Sequence, residues 1–303
     1  MSRHSDAVKG RMMLAGLSLA WGLSWPAMRF ALVDIPPFAM RAISAAIGAG
    51  AVFALARLAG RRVRMLPLRA WPDVMVISLF NIVIFSMCIT FAQLLASTGR
   101  VAVLTYTMPI WASLLARVAL GERLTAARTI ALLLCAVGMV VLIAPLAASG
   151  VPAGLLLALA AAVSWAIGTV YLKWRRIALD PIALAVWQFT VSAVVIGCFV
   201  PVFEASFRFS QVRTPALAGL LFSGLFGSGA AYFLWFSVIR LMPVATASLG
   251  ALAAPVIGVV SSAILLREIP TVPDIVGFVL IFSASACVLL QPGAPTRRQP
   301  EHT

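Results

Sequence analysis

The chain has only two histidines, His4 and His302, and both stand in its polar ends. No histidine-centred acid–base pair, triad or metal site can therefore be built inside the long apolar stretches that make up the rest. The four cysteines, Cys88, Cys135, Cys198 and Cys287, each sit alone in a different apolar run, with no pair at metal-ligand or redox spacing, and read as small core residues. Gly224 to Gly229 holds a Gly-Ser-Gly that would suit a nucleophile turn, but G-x-S-x-G is not matched and no base accompanies it. Close helix packing is the better reading. No Asp or Glu lies in the middle of an apolar run, where an ion-coupled transporter commonly holds a titratable carboxylate. These absences argue against an enzyme, against any cofactor or metal, and against carboxylate-based proton coupling.

What remains for chemistry is aromatic rings, two amides and a few hydroxyls. Trp21, Trp25, Phe85, Tyr106, Trp165 and Tyr232 fall inside apolar runs. Such rings either pack against lipid and protein or line a cavity, where they can stack on an apolar group or hold an ammonium by cation–π attraction. Asn81 is costly to strand in lipid and should face an interior; with Gln93 it is the best polar candidate for a cavity wall. Thr169 is a further candidate, although many intramembrane hydroxyls simply bond to their own helix. Pro109 and Pro255 each remove one helical hydrogen bond, freeing a carbonyl that needs a partner; the resulting kinks either open cavity space or are packing features. Arg41, one turn into the second run, is expected to snorkel outward, and Arg100 to stand at a mouth.

These candidates must be positioned by membrane helices. Of 303 residues, 62% are apolar and 11% charged, against roughly one half and one quarter in soluble domains. Stretches near the roughly 20 residues that cross a bilayer run over 12–33, 38–58, 74–95, 101–120, 126–143, 153–174, 182–203, 217–239, 245–266 and 275–290. The net charge of +14 comes in short clusters between these runs, which speaks for positive-inside bias and against a nucleic-acid face. Taking alternate sides, 17 of the 23 Lys and Arg fall on one side, and only Arg29, Arg41, Arg100, Arg208, Arg213 and Arg267 on the other. Both termini are then cytoplasmic. The first run follows Lys9 and Arg11 but is too long for a signal peptide and has no cleavage site before Arg29, so it should stay attached.

The second half echoes the first at an offset of 144 to 146 residues: Trp21 answers Trp165, Pro37 answers Pro181, Pro109 answers Pro255, Glu122 answers Glu268, and Thr125 answers Thr271. Five helices is an odd number, so the two copies, 1–148 and 149–292 with a tail at 293–303, should have opposite orientation. Inverted repeats belong to secondary transporters, whose substrate site lies at the repeat interface. Glu122 and Glu268, beside the apparent N-caps Thr125 and Thr271, are expected to secure helix ends rather than to bind substrate.

The Ala20-Trp21-Gly22 opening, the Tyr106-Thr107-Met108-Pro109 stretch and Gly121-Glu122-Arg123-Leu124-Thr125 resemble the EamA-type exporters of the drug/metabolite transporter superfamily, over both halves. The chain looks most like the YddG-type exporters of aromatic and other neutral amino acids. The resemblance implies an all-α protein of ten transmembrane helices in a bacterial inner membrane, with a central cavity and a small-molecule substrate. The expected function is export of small amphipathic metabolites, amino acids first, by a monomer working through alternating access, with uncoupled facilitation the simplest mechanism. The alternatives are an exporter of drugs or other metabolites and, from another class, a non-transporting membrane scaffold.

Overall fold

The fold was analysed in a computed structural model that describes residues 2–121, 125–147, 152–176, 179–241 and 250–289. Among these residues there is no strand. The helices are α1 (Ser2–Ala31), α2 (Pro37–Leu58), α3 (Leu68–Leu95), α4 (Thr98–Leu120), α5 (Ala126–Ala147), α6 (Ala153–Trp174), α7 (Pro181–Phe203), α8 (214–241), α9 (Ala253–Leu265) and α10 (Val272–Leu289). Six described helices, α2, α3, α4, α6, α7 and α8, are long and apolar enough to cross a membrane; α5, α9 and α10 contain shorter apolar stretches. Glu122 and the tail at 293–303 lie outside the described residues.

Helix starts follow from sequence. Pro37 and Pro181 open α2 and α7, where a missing N–H costs nothing. Asp180 caps α7 by accepting from the Ile182 and Ala183 N–H groups at 3.0 and 2.9 Å. Thr271 and Asp274 form a reciprocal cap at α10: the Asp274 carboxylate accepts from the Thr271 N–H at 2.9 Å, and the Thr271 hydroxyl from the Asp274 N–H at 3.4 Å. Thr125 directly precedes α5, and its carbonyl accepts from the Thr129 N–H at 3.0 Å.

The helices pack in pairs: α1 against α9 and α6 against α4; α1 against α8 and α6 against α3; α2 against α8 and α7 against α3; and α2–α7, α4–α9 and α5–α10. Exchanging each helix for the one five places along carries each of these pairs onto another of them or onto itself, while α4 also meets α1, α5 and α10 outside this pattern. Two local irregularities share the same spacing. The middle of α3 (Leu79–Ile84) and the middle of α8 (Ser223–Ala230) are π-helical, and the second begins 144 residues after the first. Helix α4 is interrupted by a turn at Tyr106, three residues before Pro109, and α9 is preceded by a turn at Leu252, three residues before Pro255. The Tyr106 carbonyl, at the turn, accepts the Ser285 hydroxyl of α10 at 3.2 Å.

Glycine brings backbones together where α8 meets its neighbours. A Cβ at Gly224 would lie 2.8 Å from that of Ile47, and one at Gly229 would lie 2.4 Å from that of Ala51, both on α2. The Gly-Ser-Gly stretch is thus a packing seam.

A central aromatic cavity as the candidate functional site

Seven helices, α1 to α4 and α6 to α8, line a cavity of about 180 Å³. Trp21 and Trp25 reach it from α1, Phe85 from α3, Tyr106 from the turn in α4, Trp165 from α6, Phe189 from α7 and Tyr232 from α8. The rings fix one another: Phe85 and Trp165 have centroids 4.9 Å apart, Phe189 and Tyr232 meet edge to face at 4.8 Å, and Trp21 lies 6.2 Å from Tyr232 and 6.0 Å from Trp235. Trp25 stands 6.4 Å from Tyr106. Such edge-to-face and tilted contacts hold large side chains in place at little entropic cost, and so give a cavity a defined shape. The π-helical stretches both contribute to the wall, with Ile82 on one side and Ser223, Gly227 and Ser228 on the other. Wider backbone turns of this kind recur at functional sites because they displace side chains from regular helical positions.

The structure thus brings Trp21, Trp25, Phe85, Tyr106, Trp165 and Tyr232 to one cavity. Asn81, Gln93, Pro109, Thr169 and Pro255 are not among the residues that line it. Asn81 points at α6, where its Oδ1 presses on Gly168 so closely that a Cβ there would lie 1.8 Å away. Gln93 donates from Nε2 to the Trp25 carbonyl at 3.3 Å and ties α3 to α1. Thr169 donates to the Trp165 carbonyl of its own helix at 2.8 Å, as many intramembrane threonines do. Pro109 and Pro255 act at one remove, beside the turns within α4 and ahead of α9. Replacing Gly168 by alanine is expected to cost about 1–3 kcal/mol, and Asn81→Ala in the same chain to restore most of it; unfolding midpoints of the two variants in detergent check this.

Arg41 departs from expectation. Instead of snorkelling outward it turns into the bundle and lines the cavity. Its Nε donates to the Thr90 hydroxyl of α3, and its Nη2 reaches the Met28 sulfur of α1 at 2.8 Å. The inward course follows from its place on α2: Arg41 shares a helix face with Ser44 and Ala45, which also line the cavity.

At one end of the bundle, acidic groups secure helix starts across long sequence distances. Glu204 accepts from the Phe38 and Ala39 N–H groups of α2 at 2.8 and 2.7 Å. Glu268 accepts from the Thr98 and Gly99 N–H groups of α4 at 3.0 and 3.1 Å. A carboxylate at the positive end of a helix both fills unpaired donors and offsets the dipole. Arg100 is held by the Asp274 carboxylate through two bonds of 2.5 and 2.9 Å, beside a second, smaller pocket that Glu268 also lines. Arg213 pairs with Asp34 at 2.6 Å. At the other end, Arg61 pairs with Asp180, and Arg175 and Tyr171 both bind Asp73.

Asp34 lies outside the helices, and its hydrogen bond from Arg213 holds its carboxyl below the ordinary 3.8. A depressed folded-state value means that the tie contributes above the unfolded value and is lost as pH falls through the folded one. The stability difference between wild type and Arg213→Gln is therefore expected to be flat from neutral pH to about pH 5 and to shrink only in stronger acid, as unfolding measured across a pH series will show.

Helices of membrane-crossing length around an aromatic cavity describe a polytopic membrane transport protein. The chain belongs to the EamA-like transporter family, of the drug/metabolite transporter superfamily, and matches it twice, over residues 8–144 and 152–290. It is 27% identical to the uncharacterized transporter YoaV of Bacillus subtilis (strain 168), over 90% of this chain and 94% of that one. It is 29% identical to the uncharacterized transporter YvbV of the same organism, over 92% and 90% of the two chains. Protein PecM of Dickeya dadantii (strain 3937) is 29% identical over 69% of this chain and 70% of its own. A known crystal structure shares the fold with a TM-score of 0.67, over 92% of this chain and 96% of that one, at 23% identity.

Proposed function

We propose that this transporter exports small amphipathic metabolites, amino acids first among them, by alternating access. The observation that carries the reading is the central cavity walled by Trp21, Trp25, Phe85, Tyr106, Trp165 and Tyr232. Rings of this kind take the apolar part of an aromatic or aliphatic amino acid by stacking and its ammonium group by cation–π attraction.

In this reading all ten helices cross a bacterial inner membrane, as two inverted five-helix halves over 1–148 and 149–292 with both termini cytoplasmic. Support comes from the packing pairs that survive a five-place exchange, from the paired π-helical stretches and proline turns, and from the double family match. Rocking of one half against the other would open the cavity to each side in turn. No carboxylate stands among the described residues of the cavity wall, which favours uncoupled movement down a gradient; in this reading the working unit is a monomer.

Uptake of labelled phenylalanine into liposomes holding the purified protein, beside protein-free vesicles, tests the reading. Saturable uptake without an imposed proton gradient is the expected result; uptake only with a gradient would contradict the uncoupled mechanism, and no uptake by folded protein would contradict amino-acid export. Trp21→Ala and Trp165→Ala are each expected to lower uptake about tenfold while the protein still reaches the membrane, as immunoblots of membrane fractions will report.

A further inference from the structure

Arg41 is the only charged residue among the described residues that line the cavity. Its two bonds go to neutral partners, the Thr90 hydroxyl and the Met28 sulfur, and among the described residues it makes no ion pair. The Thr90 hydroxyl spends its own proton on the Ser86 carbonyl at 2.7 Å, so it meets the guanidinium as an acceptor. A guanidinium carries five N–H donors in a flat fork, and those not used here face a wall made mostly of rings and aliphatic groups. Two more polar groups in the same wall have no partner. The Ser44 hydroxyl, one turn beyond Arg41 on α2, and the Ser223 hydroxyl, on the neighbouring α8, are both buried and unbonded.

A cation held in an apolar membrane interior without a counter-charge is costly, and such residues mark substrate paths. Here the missing partner is an anion, and none of the described residues supplies one. One cation is neutralised by one negative charge; a phosphate, with nearly two, would ask for a second basic group that the wall lacks. The planar fork of arginine matches a carboxylate through two parallel bonds. From this we infer that Arg41 binds the carboxylate of the transported molecule, with Ser44 and Ser223 as supplementary hydroxyl donors. The cavity then accepts monocarboxylates with an apolar body and rejects amines and amides of the same shape. The inference rests on the reading of the cavity as the substrate site, but it does not need the substrate to be an amino acid.

Four ligands of nearly one shape decide the matter: phenylalanine, phenylalaninamide, 3-phenylpropionate and phenethylamine. Each is titrated against the purified full-length protein in detergent and followed by tryptophan fluorescence, which Trp21, Trp25 and Trp165 make sensitive to the cavity. The two acids are expected to bind at least about tenfold more tightly than the amide and the amine. Arg41→Met is expected to erase that preference and Arg41→Lys to keep part of it. Equal binding of acids and non-acids, no binding of either acid, or an intact preference in Arg41→Met would each overturn the inference. Should the methionine variant not fold, the comparison of the four ligands on wild type still decides. Tight binding of 3-phenylpropionate without uptake of phenylalanine into liposomes would refute amino-acid export and leave the carboxylate site standing. Phenylalanine uptake with no preference for acids would do the reverse.

Discussion

Replacing Arg100 by methionine is expected to lower stability by about 3 kcal/mol, the largest loss expected of any single ion-pair change among the described residues. Asp274, whose side chain is only 6% exposed, would then keep its charge with just the Thr271 N–H and hydroxyl as partners. Removing one member of a buried pair strands the other, whereas removing both does not. Arg100→Met/Asp274→Leu should accordingly recover much of the loss, less about 1 kcal/mol for the cap at Thr271. Unfolding in mixed micelles with rising SDS fraction gives the comparison. A single variant as stable as wild type would show that Asp274 is satisfied without Arg100.

The second large effect is expected at Gly219. This residue of α8 lies against the backbone of α1, where an added Cβ would sit 2.3 Å from the Ala27 carbonyl oxygen and 2.9 Å from the Ala31 nitrogen. Main-chain atoms cannot rotate aside as a side chain can, so Gly219→Ala must push the two helices apart. A cost of about 3 kcal/mol, the upper part of the range for overpacking, is expected. Gly50 provides the control: it is a helical glycine with nothing within 4 Å of its would-be Cβ. Gly50→Ala should be neutral or stabilise by up to about 1 kcal/mol through helix propensity. Equal behaviour of the two variants in the same unfolding assay would contradict the close approach of α8 and α1.

Much of this arrangement is written in residue types. Apolar runs locate most helices within a few residues, although α1 reaches back to Ser2 and α8 to Thr214, where short polar turns extend the helices past their apolar parts. Pro109 and Pro255 mark the turns within α4 and ahead of α9, because proline weakens the turn before it. Six aromatic residues chosen from sequence line the cavity. Helix rotation is less legible, since runs that are apolar all round have no face to distinguish. Asn81 accordingly turns to Gly168 rather than to the cavity. Nothing in the residue types announces the π-helical stretches, whose extra residue per turn changes which side chains face inward. Arg41 did leave a signal, being a basic residue one turn inside an apolar run on the side where few others fall. The usual escape for such a residue is toward water, and only the placement of Thr90 and Met28 shows that it takes the opposite course.

The long-range ties at the bundle ends bear on biogenesis. Four ion pairs, Asp34–Arg213, Arg61–Asp180, Asp73–Arg175 and Arg100–Asp274, each join a residue of the stretch 8–144 to one of 152–290. The carboxylates at the starts of α2 and α4, Glu204 and Glu268, also come from the later stretch. A ribosome that has delivered only the earlier stretch has therefore inserted helices whose first turns still lack their acceptors and whose charged ends still lack their partners. That intermediate must wait, with its helix ends in water or lipid headgroups, until the last helices arrive to complete it.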